Sequence, residues 1–353
     1  MLKLYPMLKN KQKILVWLSG WVDSAVSAYL LKEQWYEVSC GFMINYLDEE
    51  NPWNCPTLAD LEEAKKVAAY LNLPFFTFDY REEYEGRIVD YIYTEYEKGN
   101  TPNPDVFCNN LVKFDLFLEE ALSLGYDGIA TWHYAQKDEK GNLLKWKDPL
   151  KDQSYFLARL SSFQLSKALF PIGHLPKSEV RIIAEKVWLP NAKRKDSQWL
   201  CFIGKVSMKE FLERRFPKNP GNILNTQGEV IGKHEWAFSY TIGQRKGIEI
   251  WGGPALFVIA KDTKKNTITV GTNEELELYS KECSITDWIG GNLEPWKKYQ
   301  AKIRYRQEDQ LVSIQSIKDT FLILFDTPQR AITRGQICVL YEESTVIGSG
   351  IIT

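Results

Sequence analysis

The 353-residue chain is poor in metal-binding side chains: three histidines and six cysteines, with no Cys-x-x-Cys pair among them. His133, His174 and His234 are too few and too scattered for a zinc site, so no metal site built from protein ligands is expected. No apolar run is long enough to cross a membrane, and residues 1–13 carry lysines without the apolar core of a signal peptide; a cytoplasmic protein is expected. Charge of one sign is missing as well. The formal net charge is −2, so nucleic acid, if bound, must be held by local patches rather than by an overall field. Internal repeats and low-complexity stretches are absent. What remains is a composition of 44% hydrophobic and 25% charged residues, that of a globular chain long enough for two or three domains.

The most informative segment runs from Leu15 to Ser24, where the apolar Leu15-Val16-Trp17-Leu18 meets Ser19-Gly20-Trp21-Val22-Asp23-Ser24 and then a helical pattern. A strand–turn–helix of this kind aims backbone N–H groups and a helix dipole at one spot, a natural seat for phosphate. No Gly-Lys-Ser/Thr follows, so it is not a Walker loop. It resembles the pyrophosphate loop (Ser-Gly-Gly-Val-Asp-Ser) of enzymes that split ATP into AMP and pyrophosphate, with Trp21 at the second glycine. An ordinary βα turn uses the same capping residues, so the segment does not decide the matter alone.

Strand patterns at 14–18, 38–43, 75–78 and 128–131 alternate with helical faces at 60–71 and 110–124. That alternation predicts a doubly wound parallel sheet with ligands at the carboxyl ends of its strands. Ser19–Ser24, Met43, Trp132 and His133 would stand at that edge. We expect a catalytic α/β domain over 1–204, a small central domain over 205–268 and a β-barrel over 269–353, with strands at 267–270, 299–306, 311–317, 320–325 and 345–352.

Two thiols stand apart from the other cysteines, which read as small buried hydrophobes. Thr101-Pro102-Asn103-Pro104-Asp105-Val106-Phe107-Cys108 is a proline-set loop that offers an acid and a thiol just before an expected helix, whose dipole would favour thiolate. Cys201 follows the basic trio Lys193-Arg194-Lys195, which would favour thiolate or meet RNA phosphate, or simply form a solvated face. Lys151-Asp152-Gln153 and the block from Tyr240 to Gly247 are polar runs without a packing logic. Lys302, Arg304 and Arg306 would share one strand face beside Lys297 and Lys298 as a phosphate-binding surface, with Tyr305 on the other.

In this order the blocks resemble the bacterial tRNA-specific 2-thiouridylase family over nearly the whole chain. The resemblance implies ATP-dependent thiolation of the wobble uridine: ATP adenylates the C2 oxygen, a persulfide on Cys201 supplies sulfur, and AMP leaves. Cys108 would resolve the persulfide and end in a transient disulfide with Cys201, with Asp105 as general base. The nucleotide positions implied are Trp17, Leu18, Ser19, Gly20, Trp21, Val22, Asp23, Ser24, Met43 and Trp132, with magnesium on the phosphates. Asn103, Pro104 and Asp105 would line the extruded base. His133, Lys151, Asp152, Gln153, Arg304 and Tyr305 would contact tRNA. A sulfur-relay protein or cysteine desulfurase would load the persulfide.

The departures from the family share one form. Trp17, Trp21, Trp35, Trp132, Trp146, Trp188, Trp199, Trp236 and Trp251 stand where the family pattern has glycine, whereas Trp288 matches a family tryptophan. Read literally, the indoles would obstruct a phosphate loop, which wants bare backbone and often positive φ, and would leave a tRNA-binding relative without chemistry. The alternative is a gene that reads UGA as glycine, which predicts UGA triplets at all nine sites. Another adenylating enzyme with the same loop would have no need of paired thiols.

Overall fold

The computed structural model describes residues 11–47, 56–148, 151–195, 207–248, 250, 253–295 and 297–353. The chain divides into two compact units. One comprises residues 1–84, 109–154 and 160–205; the other comprises 85–108, 155–159 and 206–353.

The first unit is a parallel sheet of β1 (Lys13–Trp17), β2 (Glu37–Ile44), β3 (Phe75–Asp79), β4 (Gly128–Ala130) and β5 (Ala168–Leu169), in the order β3-β2-β1-β4-β5. Helices α1 (Val22–Glu33), α2 (Pro56–Tyr70), α3 (Phe117–Ser123) and α4 (Lys177–Lys186) belong to this unit. Ile14, Val16, Val38, Cys40 and Phe42 of the sheet share a core with Val22, Ala25 and Val26 of α1 and Ala64, Val67 and Ala68 of α2. Strand order reverses between β1 and β4, so the crevice beyond their carboxyl ends is the switch point where such sheets hold ligands. The expected helix over 110–124 is broken in character: Asn109–Leu116 winds as wider π-type turns and only Phe117–Ser123 is α-helical. Among the described residues no helix is long and apolar enough to cross a membrane.

The second unit contains a small four-stranded sheet of β6 (Gly221–Leu224), β7 (Val230–His234), β8 (Phe257–Asp262) and β9 (Thr267–Gly271), ordered β8-β9-β6-β7. Beyond it, β10 (Tyr279–Gly290), β11 (Tyr299–Lys302), β12 (Gln310–Ile317), β13 (Thr320–Arg330), β14 (Ile337–Glu342) and β15 (Thr345–Ile352) form an antiparallel barrel. The order is β10-β13-β12-β11-β14-β15, and pairing of β10 with β15 closes it, which leaves no free edge. Ile285, Ala301, Val312, Ile314, Ile323, Cys338 and Leu340 fill its interior. The fold is therefore the expected parallel-sheet domain, small central domain and C-terminal barrel.

Among the described residues five helices end in the same two-bond motif, in which the residue after the cap adopts a left-handed conformation. Gly99, Gly125 and Asn72 fill that position in three of them, as the steric argument requires. Trp35 (φ 67°) fills it after α1 and Trp188 (φ 53°) after α4. The bonds are regular: Tyr36 N–H to Leu31 C=O at 3.2 Å and Leu189 N–H to Ala184 C=O at 3.0 Å. Both indoles stand out in solvent, 75% and 81% exposed, so burial does not offset the backbone strain. Trp35→Gly and Trp188→Gly should each stabilise the fold by about 1 kcal/mol, read as a higher urea midpoint at unchanged slope.

Candidate nucleotide and tRNA site

β1 delivers the loop and α1 receives it. Leu18 is buried and its N–H donates to Gly41 C=O of β2 at 2.8 Å, which anchors the strand end. Ser19 N–H and Ser19 Oγ both lie 3.1 Å from Ser24 Oγ, and Ser24 Oγ donates in turn to Trp21 C=O at 2.9 Å. The loop thus closes on itself. Positive φ falls on Gly20 (82°) and not on residue 21: Trp21, the N-cap, is extended at φ −95° and gives α1 no side-chain cap. An uncapped N-terminus leaves the first N–H groups of α1 to an anion. A Cβ on Gly20 would lie 2.4 Å from Asp60 C=O, so that backbone approach admits only glycine.

Asp23, in the first turn of α1, is held by Lys177 Nζ at 2.6 and 2.7 Å and accepts from Tyr134 Oη at 3.1 Å. A carboxylate and an ammonium, both half-buried, therefore stand together at the loop. Trp21 lies beneath the Arg194 guanidinium, 3.7 Å from its ring centroid, and its indole N–H donates to Asp60 at 3.2 Å. Burial raises the Asp60 carboxyl above its ordinary value, against the bonds from Arg194 and Trp21, which lower it.

At the switch point Trp17, 4% exposed, packs against Trp132 with ring centroids 4.3 Å apart. The buried Lys113 ammonium sits 4.6 Å from the Trp17 ring. His133 is buried too, with Nδ1 2.8 Å from Thr131 Oγ1, and burial pushes its pKa well below the ordinary range, so the ring is neutral. Met43 is buried near the carboxyl end of β2. Asp152 accepts from Trp146 N–H, Ser154 N–H and Ser154 Oγ, and Gln153 Oε1 accepts from Tyr134 N–H, while Lys151 is exposed.

In the second unit Thr101, Pro102 and Asn103 lead into a helical turn, Pro104–Cys108. Gln336 Nε2 donates to Thr101 C=O at 2.8 Å and Pro102 C=O at 3.2 Å, and Thr101 N–H donates to Arg334 C=O at 2.9 Å. Asp105 lies in the first turn, half-buried, and Cys108 at its end is buried. A helical segment does follow Cys108 at Asn109–Leu116, but Pro104 already opens a helical turn before it, so Cys108 lies within a helical run and not ahead of its N-terminus as expected. Cys201, Trp199 and Trp251 lie outside the described residues.

The shared basic face on β11 is also corrected. The strand stops at Lys302, and Arg306 turns to φ 68°. Lys302 is buried beside Tyr341, and Arg304 Nη2 donates to Ile242 C=O, Ala331 C=O and Thr333 Oγ1 at 3.1, 2.8 and 2.7 Å. Arg304 ties together the loops at Ile242 and at Ala331–Thr333, and Tyr305 packs on Phe156 at 4.4 Å. Lys177, Tyr134, Lys113, Asp60 and Asn191 had no signal in the sequence, because their partners lie far away along the chain, and Arg194 stood out only as one of a basic trio.

Three domain families match in series: one described as "tRNA methyl transferase HUP domain" over residues 12–205, one as "tRNA methyl transferase PRC-barrel domain" over 209–272, and one as "Aminomethyltransferase beta-barrel domain" over 282–352. Whole-length relatives decide between these descriptions. A tRNA-specific 2-thiouridylase MnmA from Thiobacillus denitrificans is 43% identical over 96% of this chain and 99% of its own length. The chain belongs to the tRNA-specific 2-thiouridylase family. Two further thiouridylases agree, from Ligilactobacillus salivarius (43% identical, 98% of this chain and 96% of that protein) and Methylobacillus flagellatus (44%, 97% and 99%). The thiouridylase fold places the loop after β1 at the crevice its sheet order creates.

Proposed function

We propose that this thiouridylase cleaves ATP to activate C2 of the wobble uridine in tRNA and replaces its oxygen with sulfur from a cysteine persulfide. The uncapped, glycine-pinched loop at the switch point carries this reading, because it presents backbone donors to an anion where doubly wound sheets hold nucleotides. Residues 17–24, Met43 and Trp132 would hold the nucleotide, with magnesium riding on its phosphates. ATP supplies the adenylyl group that makes the C2 oxygen a leaving group.

The remaining steps belong to the chain. Cys201 receives a sulfane sulfur from a relay protein or desulfurase, and that outer sulfur bonds to C2. Asn103, Pro104 and Asp105 line the extruded base, and Asp105 takes the proton released. The Cys108 thiolate attacks the inner sulfur of Cys201. The sulfur–sulfur bond breaks, the C2–oxygen bond breaks with departure of AMP, and a Cys108–Cys201 disulfide remains for a thiol reductant to reopen. His133, Lys151, Asp152, Gln153, Arg304 and Tyr305 serve tRNA binding, several of them by fixing loops from within. The test is stoichiometry: AMP and 2-thiouridine should appear in equal amounts and only with tRNA present. ADP as the product would overturn the reading.

We further propose that the nine tryptophans are glycine in the source cell, encoded by UGA. The left-handed, exposed Trp35 and Trp188 support this on backbone grounds alone. Trp146 and Trp236 pack well as they stand, and Trp236 Nε1 donates to Pro217 C=O at 2.7 Å, so the structure lends those two positions no support. Trp288 is the control: its indole donates to Gly291 C=O at 3.0 Å and packs on Phe321, and its triplet should be UGG. UGG at the nine sites would end the proposal.

A further inference from the structure

Gly20 C=O does not face a void. Asn191 Nδ2 donates to it at 2.9 Å and Arg194 Nη1 at 3.1 Å. Arg194 also pairs through Nη2 with Asp60 of α2, whose own carbonyl stands against the Gly20 Cα. The segment that carries both donors is fixed in turn, because Arg181 of α4 donates to Ala192 C=O at 3.2 Å and Arg194 C=O at 2.6 Å. Asn191 is 3% exposed and the Arg194 side chain 24%, so this is an interior clamp and not the solvated basic face that Lys193-Arg194-Lys195 suggests.

The peptide between Gly20 and residue 21 is planar and trans, so its C=O and N–H point in opposite directions. Two donors that hold the carbonyl toward Asn191 and Arg194 therefore turn the residue-21 N–H the other way, toward the mouth of α1. Gly20 itself stands at φ 82°, a left-handed conformation that glycine adopts freely. Left unclamped, that peptide could flip, at no steric cost to the glycine on its N-terminal side, and present its carbonyl to a phosphate instead.

We infer that Asn191 and Arg194 are positioning residues of the nucleotide loop, which set the direction of the residue-21 N–H by holding the Gly20 carbonyl. The inference rests on the assignment of this loop to ATP. Two donors on one oxygen also make a testable coupling: once one is lost, the other holds the peptide less well, and removing both costs less than the product of the single losses.

The experiment is calorimetric titration of ATP into the full chain carrying Trp17→Gly, Trp21→Gly and Trp132→Gly, as parent, and into the same chain with Asn191→Ala, Arg194→Ala, Arg194→Lys or the double alanine change. Each alanine variant should bind ATP about tenfold more weakly, as for a lost oriented hydrogen bond to a charged ligand. Arg194→Lys should recover part of the loss, and affinity for tRNA should stay within twofold of the parent. Thermal unfolding without ATP separates a general loosening from the specific effect. A lowered midpoint with unchanged ATP affinity would assign the pair a merely structural role and overturn the inference. ATP affinity within twofold in every variant would overturn it too. No ATP binding by the parent would overturn the nucleotide reading itself, and this inference with it.

Discussion

Cys201→Ser should lower 2-thiouridine formation by a factor on the order of 10³ or more while leaving tRNA binding intact. Serine occupies nearly the same volume but cannot carry a sulfane sulfur, so the loss falls on chemistry alone. Cys108→Ser should also stop turnover, at a different point. Without its thiol the persulfide on Cys201 is loaded but never resolved, so labelled sulfur should accumulate on a peptide containing Cys201. The two variants therefore separate carrier from resolver, an assignment that burial of Cys108 alone does not make. Mass analysis of the trapped peptide checks it. Undiminished thiolation by Cys201→Ser, or sulfur trapped on Cys108 instead, would reverse the roles.

Glycine at residues 17, 21 and 132 should tighten ATP binding by about 100-fold or more relative to the tryptophan form. Trp17 and Trp132 meet at 4.3 Å across the crevice between β1 and β4, and Trp21 lies under Arg194 at the helix entrance. A nucleotide entering there must displace the buried Trp17 and the half-buried Trp132, where full burial of a large apolar side chain is worth about 1.5–3 kcal/mol. Moving two costs about 3 kcal/mol or more, and every 1.4 kcal/mol is about tenfold in affinity. The same substitutions leave a hole beside Lys113 and should lower the thermal midpoint of the free protein. Ligand-induced stabilisation separates the effects: the glycine form should gain far more from ATP than the tryptophan form. Equal gains would mean that the indoles do not obstruct the site.

The sheet was legible because its strands are short apolar runs bounded by turns. Residues 14–18 were expected and Lys13–Trp17 observed; residues 75–78 were expected and Phe75–Asp79 observed. Periodicity could not reveal the wide turns of Asn109–Leu116, since a π-type winding keeps the apolar face of an α-helix over a few residues. The strand over 299–306 was overextended because alternating Lys302, Arg304 and Arg306 satisfies the strand period. Arg304 instead turns inward to three oxygens, a preference set by loops more than 25 residues away in sequence. The loop after β1 announced itself locally, but its clamp did not: Asn191 reaches Gly20 across 171 residues. The strain at Trp35 and Trp188 became visible only once the backbone showed a left-handed residue after each helix.

The most direct test of the account is nucleoside mass analysis of tRNA after incubation with the purified protein, ATP and a persulfide-loaded donor. The account predicts 2-thiouridine at the wobble position, dependent on ATP, in the form with glycine at residues 17, 21 and 132. A methylated nucleoside in its place, or thiolation that proceeds without ATP, would contradict it.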